Sequence, residues 1–339
     1  MANQAIWTPE VAYAAGSGGI LFSVGSFEVR VYSLTMLLGI LASILTIFIF
    51  WKRQKYKIEH LMVLILITIP LALIGARLWD LVEEALYKRD TFDFSRWYAI
   101  WEGGLSIQGG VVFAFIGDFI YVYVKRRELD IRKVASIIIP CILIGQVIGR
   151  WGNYANHELY GKVDFSGASV LAFGKTFAAS MYISDSVSEA MGVIGLYRYP
   201  LFLYEAIANL VGYLVIVWIF NLLGTFKPGS TAALYFIWYG LVRMAMEPLR
   251  ENAYAIYSIA AILFIIAGTL AFIFFEFVNN VHYVKVKRGR WTDHEYAHPE
   301  KYAAWINRTT IKVLGTRFAD LFRKAPNKKW QKSQATQSA

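Results

Sequence analysis

The chain has 339 residues, 57% of them hydrophobic and only 17% charged, and its mean hydropathy is +0.44. Too little polar surface remains to cover a soluble domain, so composition excludes one and indicates an all-α, polytopic membrane protein. The formal net charge of +10 is concentrated in one place: residues 280–339 hold 13 Lys or Arg against 4 Asp or Glu, which is expected of a segment held against anionic membrane lipids and not of a nucleic-acid-binding surface.

Residues 1–29 carry no Lys or Arg. They lack the basic start and apolar core of a cleavable signal peptide, so an external N-terminal segment is expected, followed by a first span that acts as an uncleaved signal. Apolar stretches of roughly 17–25 residues give about seven transmembrane helices, near 30–51, 60–79, 106–124, 134–149, 200–223, 230–247 and 254–279. The fourth is short, and its partner helices or the polar segment after it must complete the crossing. "WKRQKYK" (51–57) and "KRRELDIRK" (125–133) are strongly basic and alternate with acidic or neutral connections. By the positive-inside rule the N-terminus lies outside and the C-terminus is cytoplasmic.

Residues 30–279 then form the transmembrane domain, with external head or arm regions at about 80–105 and 162–199. Residues 280–339 form a basic cytoplasmic tail, expected to lie as amphipathic pieces along the inner surface. The one cysteine, Cys141, sits in an apolar run and reads as a small buried side chain. There is no CxxC, HExxH or histidine cluster at ligand spacing, so a metal site has no support.

Polar residues interrupt the apolar pattern, and a charge inside a span costs roughly 2.5 kcal/mol or more to insert, so each is expected to face protein or a cavity. Tyr32 in the first span and Arg77 at the end of the second stand alone and suit interfacial anchors. In "EGGLSIQGG" (102–110) paired glycines flank Ser106 and Gln108, which suits close helix packing. "GRWGNYANHELYG" (149–161) concentrates Arg150, Asn153, Asn156 and Glu158 among three glycines. An arginine fork and flanking amides suit phosphate oxygens; a bland alternative is an Arg150–Glu158 pair that locks a helix end. "YPLFLYE" (199–205) puts Tyr204 and Glu205 at the start of a span. In "GLVRMAMEPLRE" (240–251) Arg243, Glu247 and Arg250 share one helical face, and Pro248 can kink it. Two arginines and a glutamate on an inward face suit an anion site.

These blocks resemble the bacterial prolipoprotein diacylglyceryl transferases. "GRWGNYANHELYG" is similar to that family's signature segment, and "GARLW", "WEGGLSIQGG", "YPLFLYE" and "RMAMEPLRE" follow its order and approximate spacing over residues 30–255. The resemblance implies transfer of a diacylglyceryl group from phosphatidylglycerol to the lipobox cysteine thiol of a prolipoprotein signal peptide, in the bacterial cytoplasmic membrane, with glycerol phosphate released. By matched position it implies substrate or catalytic roles for Tyr32, Arg150, Asn153, Asn156, Glu158, Arg243, Glu247 and Arg250, with Tyr204, Glu205 and Arg77 as further binding residues. This chain departs from the family pattern in two places. It has Gln108 where the family often has His or Tyr, and Tyr199 where a histidine is expected. Gln108 cannot act as a base at neutral pH, but it can donate a hydrogen bond to the headgroup.

The chemistry implied needs no enzyme nucleophile, metal or cofactor. Arginines sheltered at mid-depth, Arg150 and Arg243, are expected to stabilise the negative charge that grows on the departing phosphoester. The incoming thiol, with an ordinary pKa of about 8.5, must lose its proton, and Glu158 and Glu247 are both able to take it. Two other readings share the composition: a transporter or flippase for an anionic lipid, and an inactive scaffold marked by Gln108.

Overall fold

A segment crossing hydrocarbon must satisfy every backbone N–H and C=O internally, which leaves the helix as the form for each apolar run. The computed structural model describes residues 6–25, 27–87, 97–98, 105–251, 255–278 and 281–309. The long helices are α1 (Val31–Arg53), α2 (Ile58–Tyr87) and α3 (Ile107–Val124), then α4 (Ile131–Ile138), which passes through a 3-10 turn at Pro140 into α5 (Ile142–Ala155). Three short helices follow: α6 (Ala168–Leu171), α7 (Lys175–Ser180) and α8 (Ser186–Ala190). Then come α9 (Leu201–Gly212), which continues through a π-helical stretch into α10 (Phe220–Leu223), α11 (Ser230–Met246) and α12 (Ala255–Ile273). Among the described residues six segments are long and apolar enough to cross a membrane; α11, with 17 residues, is shorter than all of them. Large apolar side chains on their outer faces, such as Leu66, Ile107 and Phe277, are exposed, as expected of surface that meets hydrocarbon.

The fourth crossing runs over 131–155 rather than 134–149. Asp130 caps its start, accepting from the Arg132 amide at 3.0 Å. At its other end Gly152 lets α5 continue against α1: a Cβ there would lie 2.3 Å from Thr35 Oγ1. Arg150 and Asn153 therefore ride on the helix itself. The arm expected from residue 80 begins later, since α2 extends to Tyr87 and carries Asp80, Glu83 and Glu84 on its last turns. Most of the rest of that arm, with Glu102, Gly103 and Gly104, lies outside the described residues, as does the tail from residue 310.

α2 packs mainly on α3, α11 on α12, and α5 on both α1 and α9. The α2–α3 contact is close enough that a Cβ on Gly109 would lie 2.2 Å from the Gly75 carbonyl. Connectivity gathers the starts of α1, α3, α9 and α12 and the ends of α2, α5 and α11 at one end of the bundle. At the opposite end Trp51, Leu61, Val122, Leu129 and Val134 form a buried cluster.

The chain is mostly helical, but not all-α. At the end where α5 stops, the segment 156–199 folds into a head around buried Val170, Met181, Tyr182, Tyr197 and Phe202. There β1 (Tyr13–Ala14) pairs parallel with β4 (Tyr182–Ser184), which pairs antiparallel with β5 (Leu196–Tyr197); β2 (Ile20–Val24) and β3 (Phe27–Arg30) form a separate hairpin.

The tail also departs from the amphipathic pieces expected. It opens with an antiparallel hairpin, β6 (Tyr283–Arg288) and β7 (Trp291–Tyr296), before α13 (Pro299–Arg308). The basic loops hold this unit: Arg53 pairs with Asp293 at 2.5 Å, Asp130 accepts from the Tyr296 hydroxyl, and Arg126 donates to the Thr309 carbonyl at 2.8 Å. Positive charge of the two basic loops is thus partly spent on protein contacts.

Candidate active site

The end of α5, the start of α9 and the end of α11 meet, and each brings one of the polar blocks. Their side chains form a continuous ionic chain. Glu205, only 4% exposed, is held from both sides: Arg150 Nη2 lies 2.6 Å from its Oε2 and Arg250 Nη2 lies 2.5 Å from its Oε1. Arg250 Nε is 3.9 Å from Glu247 Oε2, and Arg243 Nη1 is 2.9 Å from that same oxygen. Burial lowers the Arg250 pKa below the ordinary value, Glu205 opposes this, and Arg243 and Arg150 add to it. Three guanidiniums against two carboxylates leave the chain one positive charge in excess.

The chain is ionic but under-bonded. Arg150 Nε, Arg250 Nε, Arg243 Nη1 and both Glu247 oxygens are buried with no hydrogen-bond partner among the described residues. Glu247 and Arg243 are close but misaligned. Buried polar atoms in native proteins are nearly all paired, so a group of spare donors beside an excess charge is suited to an incoming anion.

Local geometry explains these positions. Arg243 and Glu247 lie one helical turn apart on α11 and its continuation. Pro248 then enters a 3-10 turn over Glu247–Leu249, and Arg250 leaves it in extended backbone (φ −77°, ψ 141°), which turns its side chain back toward α9. The head fixes the same segment through its backbone: the Lys162 amide donates to the Leu249 carbonyl at 2.8 Å, and Gly161 bridges Arg250.

Other predicted residues fall nearby. Asn153 accepts from Arg150 Nη1 at 3.3 Å. Asn156 Oδ1 is buried without a partner among the described residues and abuts Gly18. The Tyr32 ring packs over Gly152, two positions from Arg150. Glu158 does not lock Arg150, whose carboxylate partner is Glu205. Instead Glu158 lines a cavity of about 290 Å³ with Ala15, His157, Tyr160, Arg250 and Glu251, and it makes no ion pair among the described residues.

Three predicted residues are not drawn into this cluster. Gln108, at the start of α3, is exposed and accepts from Ser106 Oγ at 2.7 Å. Arg77 is not isolated: it pairs with Asp80 at 3.2 Å and donates to the Trp97 carbonyl at 3.0 Å. Tyr204 makes no hydrogen bond to the ionic chain. The cluster also sits less deep than mid-span, since Arg150, Glu205 and Arg243 lie within one to two turns of their helix ends.

Sequence reasoning missed Arg198 and the N-terminal glycines. Arg198 is fully buried and donates to Asp185 Oδ2 at 2.5 Å and Glu251 Oε2 at 2.6 Å, under the Tyr160 ring. Burial first, then Asp185, pushes the Tyr160 hydroxyl up to about 12, so it stays neutral beside them. Arg198 thus ties the head to the residue next to Arg250. The run "GSGG" (16–19) was the available signal for the glycines, because Gly16 and Gly18 pass close to Glu158 and Asn156.

The family model described as prolipoprotein diacylglyceryl transferase matches residues 19–274, which takes in every block above and ends before the β6–β7 hairpin. A phosphatidylglycerol–prolipoprotein diacylglyceryl transferase of Mycoplasmopsis pulmonis is 49% identical over 78% of this chain and 82% of its own length. Proteins of the same name from Mycoplasmoides gallisepticum and Streptococcus uberis are 30% and 31% identical, over 77% and 69% of this chain and 78% and 84% of theirs. The chain belongs to the prolipoprotein diacylglyceryl transferase family.

Proposed function

We propose that the chain transfers the diacylglyceryl group of phosphatidylglycerol to the lipobox cysteine thiol of prolipoproteins, and that the Arg150–Glu205–Arg250–Glu247–Arg243 chain is where it does so. Relatives carrying that activity in their names support the transferase reading; the under-bonded ionic chain supports the location. The phosphodiester docks against the spare guanidinium donors. The thiolate attacks the glycerol carbon, the carbon–oxygen bond to phosphate breaks, and glycerol phosphate leaves with the electron pair. Glu158 is the proton acceptor of the two considered, because it lines an open cavity and makes no ion pair among the described residues, whereas Glu247 is in contact with two arginines. Asn153 and Asn156 orient the headgroup, and Tyr32 lines the entry.

The same reading places the protein in the bacterial cytoplasmic membrane with seven spans. α11 is the seventh: 17 residues rise roughly 26 Å, and it lies along α12. An odd number of spans puts the two termini on opposite sides. Both basic loops contact the tail, so loops and tail share the cytoplasmic face, and the ionic chain then lies within a turn or two of the outer surface, level with lipid headgroups.

The test is purified protein, phosphatidylglycerol and a lipobox peptide. A mass gain of one diacylglyceryl on the peptide cysteine, lost in Arg150→Ala with membrane insertion intact, is expected. Lipid redistribution without a peptide product would instead indicate a transporter, and near-wild-type turnover in Arg150→Ala would make that arginine structural.

A further inference from the structure

A second set of cations, half-buried, lies at the other end of the bundle, where the proposed reaction has no use for it. Arg53 closes α1 and is separated from Tyr32 by roughly 32 Å of helix. Beside it a cavity of about 40 Å³ opens between α1, α4, the α10–α11 connection and β7. That is room for roughly three waters, or for one tetrahedral oxyanion with an oxygen at the mouth.

Its lining is cationic. Arg53, Lys133 and Lys227 face it against a single lining carboxylate, Asp293. Arg53 spends one amino group on Asp293, and Lys227 donates to the Glu276 backbone carbonyl. Lys133 has only the neutral Gln54 Oε1, at 3.3 Å, and no carboxylate in ion-pair contact among the described residues. Lys227 and Thr231 bracket the first residue of α11, so the positive end of that helix adds to the field.

Two buried nitrogens are left over. Arg53 Nε is buried without a partner among the described residues, and so is Nε2 of His294, a residue only 8% exposed that lines the cavity. Burial first, then Lys285 and Lys133, holds the His294 ring down to about 4. It is therefore neutral at pH 7 and presents one ring N–H. Buried donors normally find acceptors. A cation would be repelled here and an apolar group would leave both nitrogens unpaired, whereas an anion accepts from Arg53 Nε and, with the ring proton on Nε2, from His294.

We propose that this cavity binds a phosphate group, either as a free phosphate or as the headgroup of an anionic phospholipid in the leaflet on the side of the basic loops. Its back wall is made by β7, beyond residue 274 where the family match ends, so the docked hairpin completes a site that the matched portion of the chain cannot form alone.

The experiment uses the full chain in detergent, stripped of lipid. Thermal unfolding is followed with inorganic phosphate against chloride at equal ionic strength, and native mass spectrometry counts phosphatidylglycerol rebound per chain. The variants are Lys133→Gln and His294→Gln, with Arg150→Ala to silence the proposed active site. Retained transfer activity in the first two shows that they are folded. If free phosphate is the ligand, phosphate raises the unfolding midpoint of wild type and of Arg150→Ala, and Lys133→Gln removes the rise. If a phospholipid is the ligand, wild type and Arg150→Ala each hold one more lipid than the corresponding chain carrying Lys133→Gln. Identical behaviour of Lys133→Gln and wild type in both arms, or phosphate and lipid responses that vanish with Arg150→Ala alone, would overturn the proposal and leave the active-site reading untouched.

Discussion

Glu205→Gln is the sharpest probe of the ionic chain, because it keeps size and removes only the charge that joins Arg150 to Arg250. Both carboxylate oxygens are engaged, at 2.6 and 2.5 Å, and the side chain is 5% exposed. Deleting one partner of a buried pair costs about 3–5 kcal/mol. Arg150 is 26% exposed, so water recovers part of that, and about 2–3 kcal/mol is the expected loss. The amide still accepts from one guanidinium through its oxygen but turns a donor toward the other, so one arginine is displaced. Losing one aligned donor at a developing oxyanion costs about 10²–10³ in kcat. The expected result in the lipobox-peptide assay is therefore a fall of about 10²-fold in kcat/KM, equivalent to about 2.7 kcal/mol. Glu205→Asp, which keeps the charge at shorter reach, should retain more activity than Glu205→Gln. Wild-type kcat/KM in Glu205→Gln, with an unchanged unfolding midpoint, would show that the two arginines hold their places without it and would refute the reasoning.

Arg198→Ala leaves Asp185 and Glu251 facing each other without the cation between them and frees the segment after Arg250; a loss of about tenfold or more in kcat/KM is expected, with partial recovery in Arg198→Lys. Glu158→Gln removes the proposed proton acceptor, so its activity should be low at pH 7 and recover as the pH nears the thiol's own pKa of about 8.5; a pH profile parallel to wild type would exclude that role. Gln108→His should keep or raise activity, because among the described residues the amide hydrogen-bonds only Ser106, and complete loss would mean that the pocket has been rebuilt around glutamine. His294 is held below its unfolded pKa of 6.5 by burial, so the unfolded chain takes up its proton first as the pH falls. Docking of the β6–β7 hairpin should weaken between pH 6.5 and 4 and be unaffected above 7, as read by protease cleavage after residue 280; cleavage independent of pH over that window would refute it.

The approximate positions of the six long apolar helices are legible in the sequence because bilayer thickness sets a length that apolar runs must match. The i,i+4 pair Arg243–Glu247 is legible for a similar reason, since helical geometry alone puts those side chains together. What is not legible is any pairing that depends on how helices meet. Glu205 and Arg150 are 55 positions apart, and nothing in "YPLFLYE" says which arginine its glutamate will choose. Arg198 is hidden for the same reason: its partners, Asp185 and Glu251, lie on opposite sides of it in the chain and meet only through the head. The hairpin was missed because residues 283–296 mix charge with aromatics and lack strict alternation, and its strands are held as much by Arg53, Asp130 and Trp291 packed on Phe50 as by each other.

The charge count of the proposed site explains how an arginine cluster that also holds two carboxylates can favour the reaction. Phosphatidylglycerol brings one negative charge, which the single excess positive charge of the ionic chain balances. As the thiolate attacks and the carbon–oxygen bond breaks, the leaving phosphate gains a second negative charge that the ground state lacks. An added unit charge about 4 Å from a guanidinium is worth about 4 kcal/mol at an effective dielectric constant of 20, or roughly 10³ in rate. Only this increment accelerates the step, since binding the first charge stabilises ground and transition states alike. Glu158 adds to it. By taking the thiol proton it loses its own charge, in a cavity that it shares with Arg250, so the local field becomes more positive as the phosphate becomes more negative. A cluster with Glu205 and Glu247 removed would bind the headgroup more tightly at rest, would hold the glycerol phosphate product more tightly still, and would release it more slowly. Two carboxylates among three arginines keep the resting charge near one, where the charge that appears during the reaction makes the largest relative difference.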